Sequence, residues 1–329
     1  MSLDGKLLGR ARLRLEVKKR EKQELHTRRT DEVYARCPRI RELDQELKSS
    51  VIDVIGIAFR KGSDPTEDIA CIRDNNLYLQ SERIQALMSA GFPYDYLDDE
   101  SLCRKCGDTG YVGTEICSCL MDLYREEQRA ALSNLFKLGN ETFDNFDLSF
   151  YDDTPDHTPS ARDKMEIVYD TCLDYARKFE RKKTSLYLSG STGLGKTFLS
   201  ACIARVVSDK GFSVVYDTAA SIFSKFEEEK FDKSDDLTAA RDEIRRYLAC
   251  DLLIMDDLGT EMITAFTISA LYELVNTRLI SNKKTIINSN LSADELYQKY
   301  SPQIASRIKG EYHVLNFYGR DIRLVKKGL

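Results

Sequence analysis

Three glycines, a lysine and a threonine crowd into eight consecutive residues, Gly190, Ser191, Thr192, Gly193, Leu194, Gly195, Lys196 and Thr197, in a chain with only 17 Gly among 329 residues. Glycines at that density let successive backbone N–H groups turn inward with no Cβ in the way. Amides arranged so at the head of a helix bind a phosphate. A lysine directly after the last glycine puts a point charge on β and γ phosphates, and the next hydroxyl is a Mg²⁺ ligand. The stretch before it, SLYLS, reads as a strand, and the stretch after it reads as a helix. That context separates a working phosphate loop from a chance match to G-x4-G-K-[ST]. The expected ligands are ATP and Mg²⁺, held by residues 190–197.

Such a loop needs a second magnesium anchor on a neighbouring strand. DLLIMDDLGTE supplies it: four apolar residues deliver Asp256 to a strand end. Asp257 follows, placed to orient or deprotonate an attacking water. Without the glycine loop, the same stretch would read equally as a buried strand ending in a polar turn. KTIINSN ends another strand in Asn290, a neutral group suited to orienting water near a γ-phosphate. SPQIASRIKGEY presents Arg307 at a helix end before Gly310. A cation there can stabilise transition-state charge in a neighbouring subunit's site; the plainer reading is a surface arginine in an ion pair.

A second group of residues has metal-binding spacing. Cys103-x2-Cys106 and Cys117-x-Cys119 stand ten residues apart, with Gly107, Gly110 and Gly113 between them. Four thiolates in a tight knuckle suit tetrahedral Zn²⁺ in a closed, structural site. An iron–sulfur cluster fits the spacing too, and a redox C-x-x-C would leave the second pair without a role. The other five cysteines, Cys37, Cys71, Cys172, Cys202 and Cys250, are scattered and read as small buried hydrophobes. Nine cysteines, an odd number, suit a reducing compartment better than a disulfide framework. His26, His157 and His313 lie far along the chain from the cluster and read as packed or surface residues.

These residues need elements to hold them. From residue 162 onward, helical stretches (196–210, 218–230, 236–249, 264–280) alternate with β-rich apolar runs at 185–189, 213–217, 251–256, 284–289 and 313–317. That alternation predicts an α/β domain, a mainly parallel sheet flanked by helices, with its ligand crevice at the carboxyl ends of the strands. The region before it is helical. Ile40, Leu43, Leu47, Val51, Val54 and Ala58 form a seam at alternating three- and four-residue steps, read as an ordinary bundle core. Cys37-Pro38 separates it from an earlier charged helix, and a further helix over 66–90 ends at Gly91. Residues 143–160 (FDNFDLSFYDDTPDHTPS) read as a linker. The resulting division is a helical region at 1–100, the cysteine segment at 101–120, a helix and linker at 121–160, and the α/β domain at 161–329.

The hydrophobic fraction of 42% allows a packed core, and no apolar run approaches the roughly 20 residues of a membrane span. The N-terminus lacks a signal-peptide pattern, so a cytoplasmic location is expected. The net charge of −5 gives no support to bulk electrostatic binding of nucleic acid, although basic residues concentrate in 6–30 and in the closing GRDIRLVKKGL.

The phosphate loop, DDLG, NSN and SRI-x-G, in this order, resemble the Walker A, Walker B, sensor 1 and box VII elements of AAA+ ATPases. Together with F-x-G-x-D-x-R, here Phe317, Gly319, Asp321 and Arg323, they look most like the DnaC/DnaI-type replicative helicase loaders over residues 140–329. The C-x-x-C-x-D-T-G-Y…C-x-C segment is similar to N-terminal segments of some loader homologues. The resemblance implies an ATPase with self-association through the ATP site; the Asp256-Asp257 pair, where many relatives carry Asp-Glu, fits weak or partner-stimulated turnover. It implies Arg307 as a finger acting across that interface, and Arg320 or Arg323 as a second sensor. It also implies a replicative DNA helicase bound by the N-terminal region, and single-stranded DNA bound by the ATPase domain. Many AAA+ proteins carry Asp-Glu where this chain has Asp256-Asp257. That leaves Asp257, with its shorter carboxylate, and Glu261 as alternative bases. The alternative family reading is an IstB-type transposition helper acting on duplex DNA. A third reading is an adaptor that binds ATP and barely hydrolyses it.

Overall fold

The computed structural model describes residues 3–58, 66–136, 141–154, 159–231 and 238–327. The chain divides into two compact units, Arg12–Leu120 and Met1–Ala11 with Met121–Leu329. Both are built of elements that their sequences dictate locally.

Three helices open the chain: α1 (Gly5–Arg36), α2 (Pro38–Ala58) and α3 (Thr66–Ser89). Pro38 starts α2 at the position where a missing N–H costs nothing. Ile40 and Leu43 of the expected seam are fully buried, Ile40 in a small core with Val33, Leu87, Phe92 and Leu97. The side chains of Val51 and Ala58 lie outside the described residues. Gly91, with φ +84, ends α3 as expected: Phe92 N bonds back to Leu87 O at 3.1 Å. A two-stranded antiparallel hairpin follows, β1 (Tyr111–Val112) and β2 (Glu115–Ile116), and then α4 (Ser118–Phe136).

The α/β unit continues with α5 (Ala161–Arg177), β3 (Ser185–Ser189), α6 (Lys196–Asp209), β4 (Val214–Thr218), α7 (Ala219–Phe231), α8 (Thr238–Ala249) and β5 (Leu252–Leu258). It closes with α9 (Ala265–Ile280), β6 (Lys284–Ser289), α10 (Ala293–Lys299), α11 (Pro302–Glu311), β7 (Tyr312–Asn316) and α12 (Ile322–Val325). The five strands lie in the order β4-β5-β6-β3-β7, and every neighbouring pair is parallel. The inner strands β3 and β5 are almost wholly buried because helices cover both faces, while the edge strand β7 leaves His313 and Asn316 exposed. One face packs on α5 and α6 through Met165, Cys172, Leu199 and Ile203. The other packs on α7, α9 and α11 through Ile222, Leu271, Leu274 and Ile308. With all strands parallel, their carboxyl ends share one edge, and β3, β5 and β6 bring Gly190, Asp256 and Asn290 there.

Three expectations change. Of the five scattered cysteines only Cys172, Cys202 and Cys250 are buried; Cys37 is half-buried and Cys71 exposed. Residues 143–150 are not a free linker: Phe143–Asn145 and Leu148–Phe150 form short 3₁₀ turns, and Phe143 and Tyr151 are buried in the same core as α5 and α6. The expected helix end before Gly310 is also displaced, because α11 runs through Gly310 to Glu311. Gly310 keeps helical φ, and its C-cap is Tyr312, where β7 begins.

Candidate functional site

β3, fully buried between β6 and β7, delivers the chain to Gly190. Six residues later α6 begins, capped by Gly195 in the left-handed conformation (φ 90°, ψ 11°), so the loop points its amides at the helix head. Lys196 is only 8% exposed. Its Nζ donates to Gly190 O at 2.5 Å and Ser191 O at 2.7 Å, folding the loop around the ammonium. Burial lowers the Lys196 pKa, while Asp256 and Asp257 pull it back up. This is a cation short of negative partners, and phosphate oxygens supply them.

The loop has walls from both flanks of the domain. Phe317 N donates to Ser189 O at 2.7 Å and Ile322 N to Gly193 O at 3.0 Å. A Cβ at Gly193 (φ +77) would collide with the Asp321 carboxylate. On the other side the Tyr151 hydroxyl donates to Leu194 O at 2.9 Å, and the Phe146 ring stands 5.7 Å from that of Phe198. The segment 143–151 therefore belongs to the site. The signal in its sequence was aromatic density (Phe143, Phe146, Phe150, Tyr151), which an exposed linker would not need.

Asp256 is 3% exposed at the end of β5. The Thr197 hydroxyl donates to its Oδ2 at 3.1 Å and stands 3.4 Å from its Oδ1. Two adjacent oxygens on an octahedral Mg²⁺, each about 2.0–2.1 Å from the ion, stand about 2.9 Å apart. The hydroxyl–carboxylate pair thus fits a Mg²⁺ drawn between them. The carboxylate is held from behind by two residues that the sequence reading missed. The Tyr216 phenol, kept protonated by burial and by Asp256, donates to Oδ2. Asn288, fully buried, donates through Nδ2 to Oδ1 at 2.9 Å and to Ser200 Oγ at 2.9 Å. An Asn directly after Ile286-Ile287 and inside the strand was the available signal. Asn288→Ala is expected to raise the Mg²⁺ concentration for half-maximal Mg·ATP binding about tenfold, the worth of one hydrogen bond to a buried charge. Titration of nucleotide binding against Mg²⁺ reads this, and an unchanged midpoint counts against the role.

β5 is irregular where the expected water-handling residue stands: its register against β6 shifts between Met255 and Leu258, and Asp257 has φ +56. This left-handed conformation, which Asp adopts more readily than most side chains, turns Asp257 out while Asp256 stays in. Partial desolvation and the Asp256 charge push the Asp257 pKa up, against Lys196 and Arg323. Glu261 has neither carboxylate oxygen free. Oε2 accepts from Gly259 N at 2.9 Å and Oε1 accepts from the Tyr300 hydroxyl. Asn290 is exposed just beyond β6, and a Cβ on Gly259 would stand 3.2 Å from its Oδ1. Arg307 projects from α11 onto Tyr272 of α9, with its guanidinium carbon 5.3 Å from the ring centroid and Nη2 3.2 Å from the hydroxyl. The charge of Arg323 acts on both Lys196 and Asp257; Arg320 is exposed.

The second cluster lies in the unit Arg12–Leu120. Cys103, Cys106, Cys117 and Cys119 bring their Sγ atoms within 4.8 Å of one another, with Cys103–Cys117 at 3.7 Å and Cys106–Cys119 at 3.5 Å. A tetrahedron of sulfurs about 2.3 Å from Zn²⁺ has edges of about 3.8 Å, so the four positions fit that ion. Asp108 braces the first turn, accepting from Leu102 N at 3.0 Å and Cys103 N at 2.8 Å. Gly110 (φ +79) donates to Cys106 Sγ at 3.4 Å and has Leu15 and Leu120 where a Cβ would press. Among the described residues no histidine joins the cluster; His157 lies outside them.

The model of the family described as IstB-like ATP binding protein matches residues 132–327. The chain belongs to this family. The IstB-like region contains the whole candidate nucleotide site, from Phe143 to Arg323, and stops short of the cysteine cluster. Among similar proteins is an insertion-sequence ATP-binding protein of Mycobacterium tuberculosis, 28% identical over 125 residues, 38% of this chain and 48% of that one. Another is the replicative helicase loader DnaI of Bacillus subtilis, 22% identical over 267 residues, 70% of this chain and 77% of that one. The chain thus spans about half the length of the first relative and about three quarters of the second. Among solved structures, the DnaC helicase loader aligns with a TM-score of 0.45 at 17% identity, covering 54% of this chain and 97% of that one.

Proposed function

We propose that the chain is an ATP-dependent loader of the replicative DNA helicase, active in replication initiation or restart. One observation carries the choice of loader over transposition helper. The match to the Bacillus subtilis loader covers 70% of the chain, more than the residues from 132 onward can supply, so it extends into the region that holds the helices and cysteines. The match to the insertion-sequence protein covers 38%, which the ATPase region alone can accommodate. The family match to IstB-like proteins favours the helper as the second reading.

In the proposed division of labour, residues 1–100 bind the helicase and 101–120 form a zinc knuckle. Residues 121–160 connect it to, and help build, the ATPase domain at 161–329. Residues 190–197 and Asp256 hold ATP and Mg²⁺, the ion neutralising phosphate charge. Asp257 accepts the proton of the attacking water, or orients it, and burial with the Asp256 charge makes it a stronger base than an ordinary Asp. Asn290 orients the same water. Arg307, outward on α11, enters the site of the next copy and couples hydrolysis to self-association. Single-stranded DNA runs along the assembled ATPase domains through phosphate contacts, in a cytoplasmic setting. Co-purification with the host's replicative helicase, with and without ATP, tests the reading; capture of a transposase instead selects the helper.

The trans role of Arg307 has its own test. Arg307→Ala is expected to bind ATP normally and lose turnover by about a thousandfold, as loss of an arginine finger does. Mixed one to one with Asp257→Ala chains, it regains activity at about a quarter of sites, those pairing the two variants head to tail. Turnover that stays flat on mixing removes the trans assignment.

A further inference from the structure

Arg307 is fixed rotationally by the buried residues around it: Ile304, Ala305 and Ile308 of α11 face the core. What fixes it along the helix is the junction with α10. Tyr300, the residue before the Ser301 cap, is 6% exposed, and its hydroxyl donates to Glu261. Glu261 in turn closes the turn after Asp256 and Asp257 by accepting from Gly259 N at 2.9 Å. That turn is pinned to the end of β6: a Cβ on Gly259 (φ +101) would stand 2.7 Å from Leu291 Cδ1, and Ser289 Oγ donates to Leu258 O at 2.7 Å. The other support of Arg307, Tyr272, sits on α9, the helix that this same loop leads into. Both anchors of the arginine therefore return to the five residues 257–261. Burial and Glu261 keep the Tyr300 phenol protonated and able to donate.

We propose that Tyr300, through Glu261, is a positioning residue that ties the helix carrying Arg307 to the turn beside the chain's own γ-phosphate pocket. Each copy's nucleotide site thereby sets how its arginine is presented to the next copy's site. This rests on the trans reading of Arg307 and assigns it a control that runs within one chain. It also gives both Glu261 oxygens a structural task in place of base catalysis.

The test uses the complementing mixture of full-length chains. Tyr300→Phe keeps the ring and removes only the hydroxyl. Placed in the finger-supplying chain (Asp257→Ala with Tyr300→Phe, mixed with Arg307→Ala), it is expected to cut the restored turnover about tenfold. Placed in the receiving chain (Arg307→Ala with Tyr300→Phe, mixed with Asp257→Ala), it is expected to change turnover by less than about threefold. ATP affinity of each variant is expected to match its parent's and reports folding. Glu261→Gln in the supplying chain, which keeps an oxygen for Tyr300, is expected to retain more turnover than Glu261→Ala. Equal losses in the two arms, or no loss in either, overturn the positioning role while leaving the trans finger intact. An unmodified mixture that restores nothing overturns the trans finger, and this inference with it.

Discussion

Lys196→Ala is expected to bind ATP at least about 100-fold more weakly than the parent chain, a loss of about 2.7 kcal/mol, the lower part of the range for removing one partner of a buried charge pair. The reason lies in the loop before any ligand arrives. The ammonium is almost fully buried and is hydrogen-bonded by two neutral carbonyls of its own loop, so its charge stays only partly compensated until phosphates replace those carbonyls. In alanine the loop amides and the α6 terminus remain, and some anion binding survives; what disappears is the point charge on the β and γ phosphates. The affinity of the parent chain also carries a pH signature. Burial holds the Lys196 pKa below its ordinary value, and bound phosphate raises it. Binding is therefore strongest while the free-state lysine is protonated and weakens as pH rises through its free-state pKa. Equilibrium titration with a fluorescent ATP analogue across alkaline pH reads both effects. A Lys196→Ala chain with parental affinity, or a parent whose affinity strengthens with rising pH, contradicts the assignment.

The parts of this site that a sequence discloses are those whose chemistry is local. Residues 190–197 need only their own order to form a phosphate loop, and their strand and helix neighbours follow from periodicity; β3 and the start of α6 fall where that reading put them. Asp256 was legible for the same reason, as the polar end of an apolar run. What escaped is what the sheet order creates. Tyr216 is 40 residues from Asp256 and Asn288 is 32 beyond it. They meet it only because β4 and β6 flank β5, and alternation of helices and strands predicts parallel pairing without predicting that order. Asn290 stood out because it ends a strand, while the buried Asn288 two residues earlier makes the contact to Asp256. The Asp and Pro content of residues 143–160 points to a linker, while the aromatic residues of 143–151 gain their meaning from Leu194, 43 residues beyond Tyr151, and from Phe198.

Loss of the zinc proposed for the four cysteines is expected to reshape the chain most. Cys103→Ser is expected to lose the metal and unfold the knuckle at 101–120, while ATP binding at residues 190–197 persists. Structural Zn²⁺ contributes on the order of 10–16 kcal/mol in small metal-dependent folds, against a few local contacts such as the packing of Gly110 on Leu15 and Leu120 and the bond from Arg12 to the Tyr111 hydroxyl. Its hairpin has two residues in each strand, too short for independent stability. Cys106 and Cys119 are only partly buried, and the bracing by Asp108 and Gly110 serves to aim thiols at a common centre. Four thiolates close together repel one another and stay deprotonated only around a cation. The hydroxyl of serine is a far weaker ligand, so three sulfurs would be left without a closed shell. Elemental analysis should give one zinc per parent chain and substantially less in Cys103→Ser. Chelation of the parent should reproduce the variant's circular dichroism and protease sensitivity within residues 90–120. A purified chain that carries no zinc and keeps this segment protected would leave the four cysteines as a thiol cluster with no metal role, whereas iron with visible absorbance would exchange zinc for an iron–sulfur centre at the same four positions.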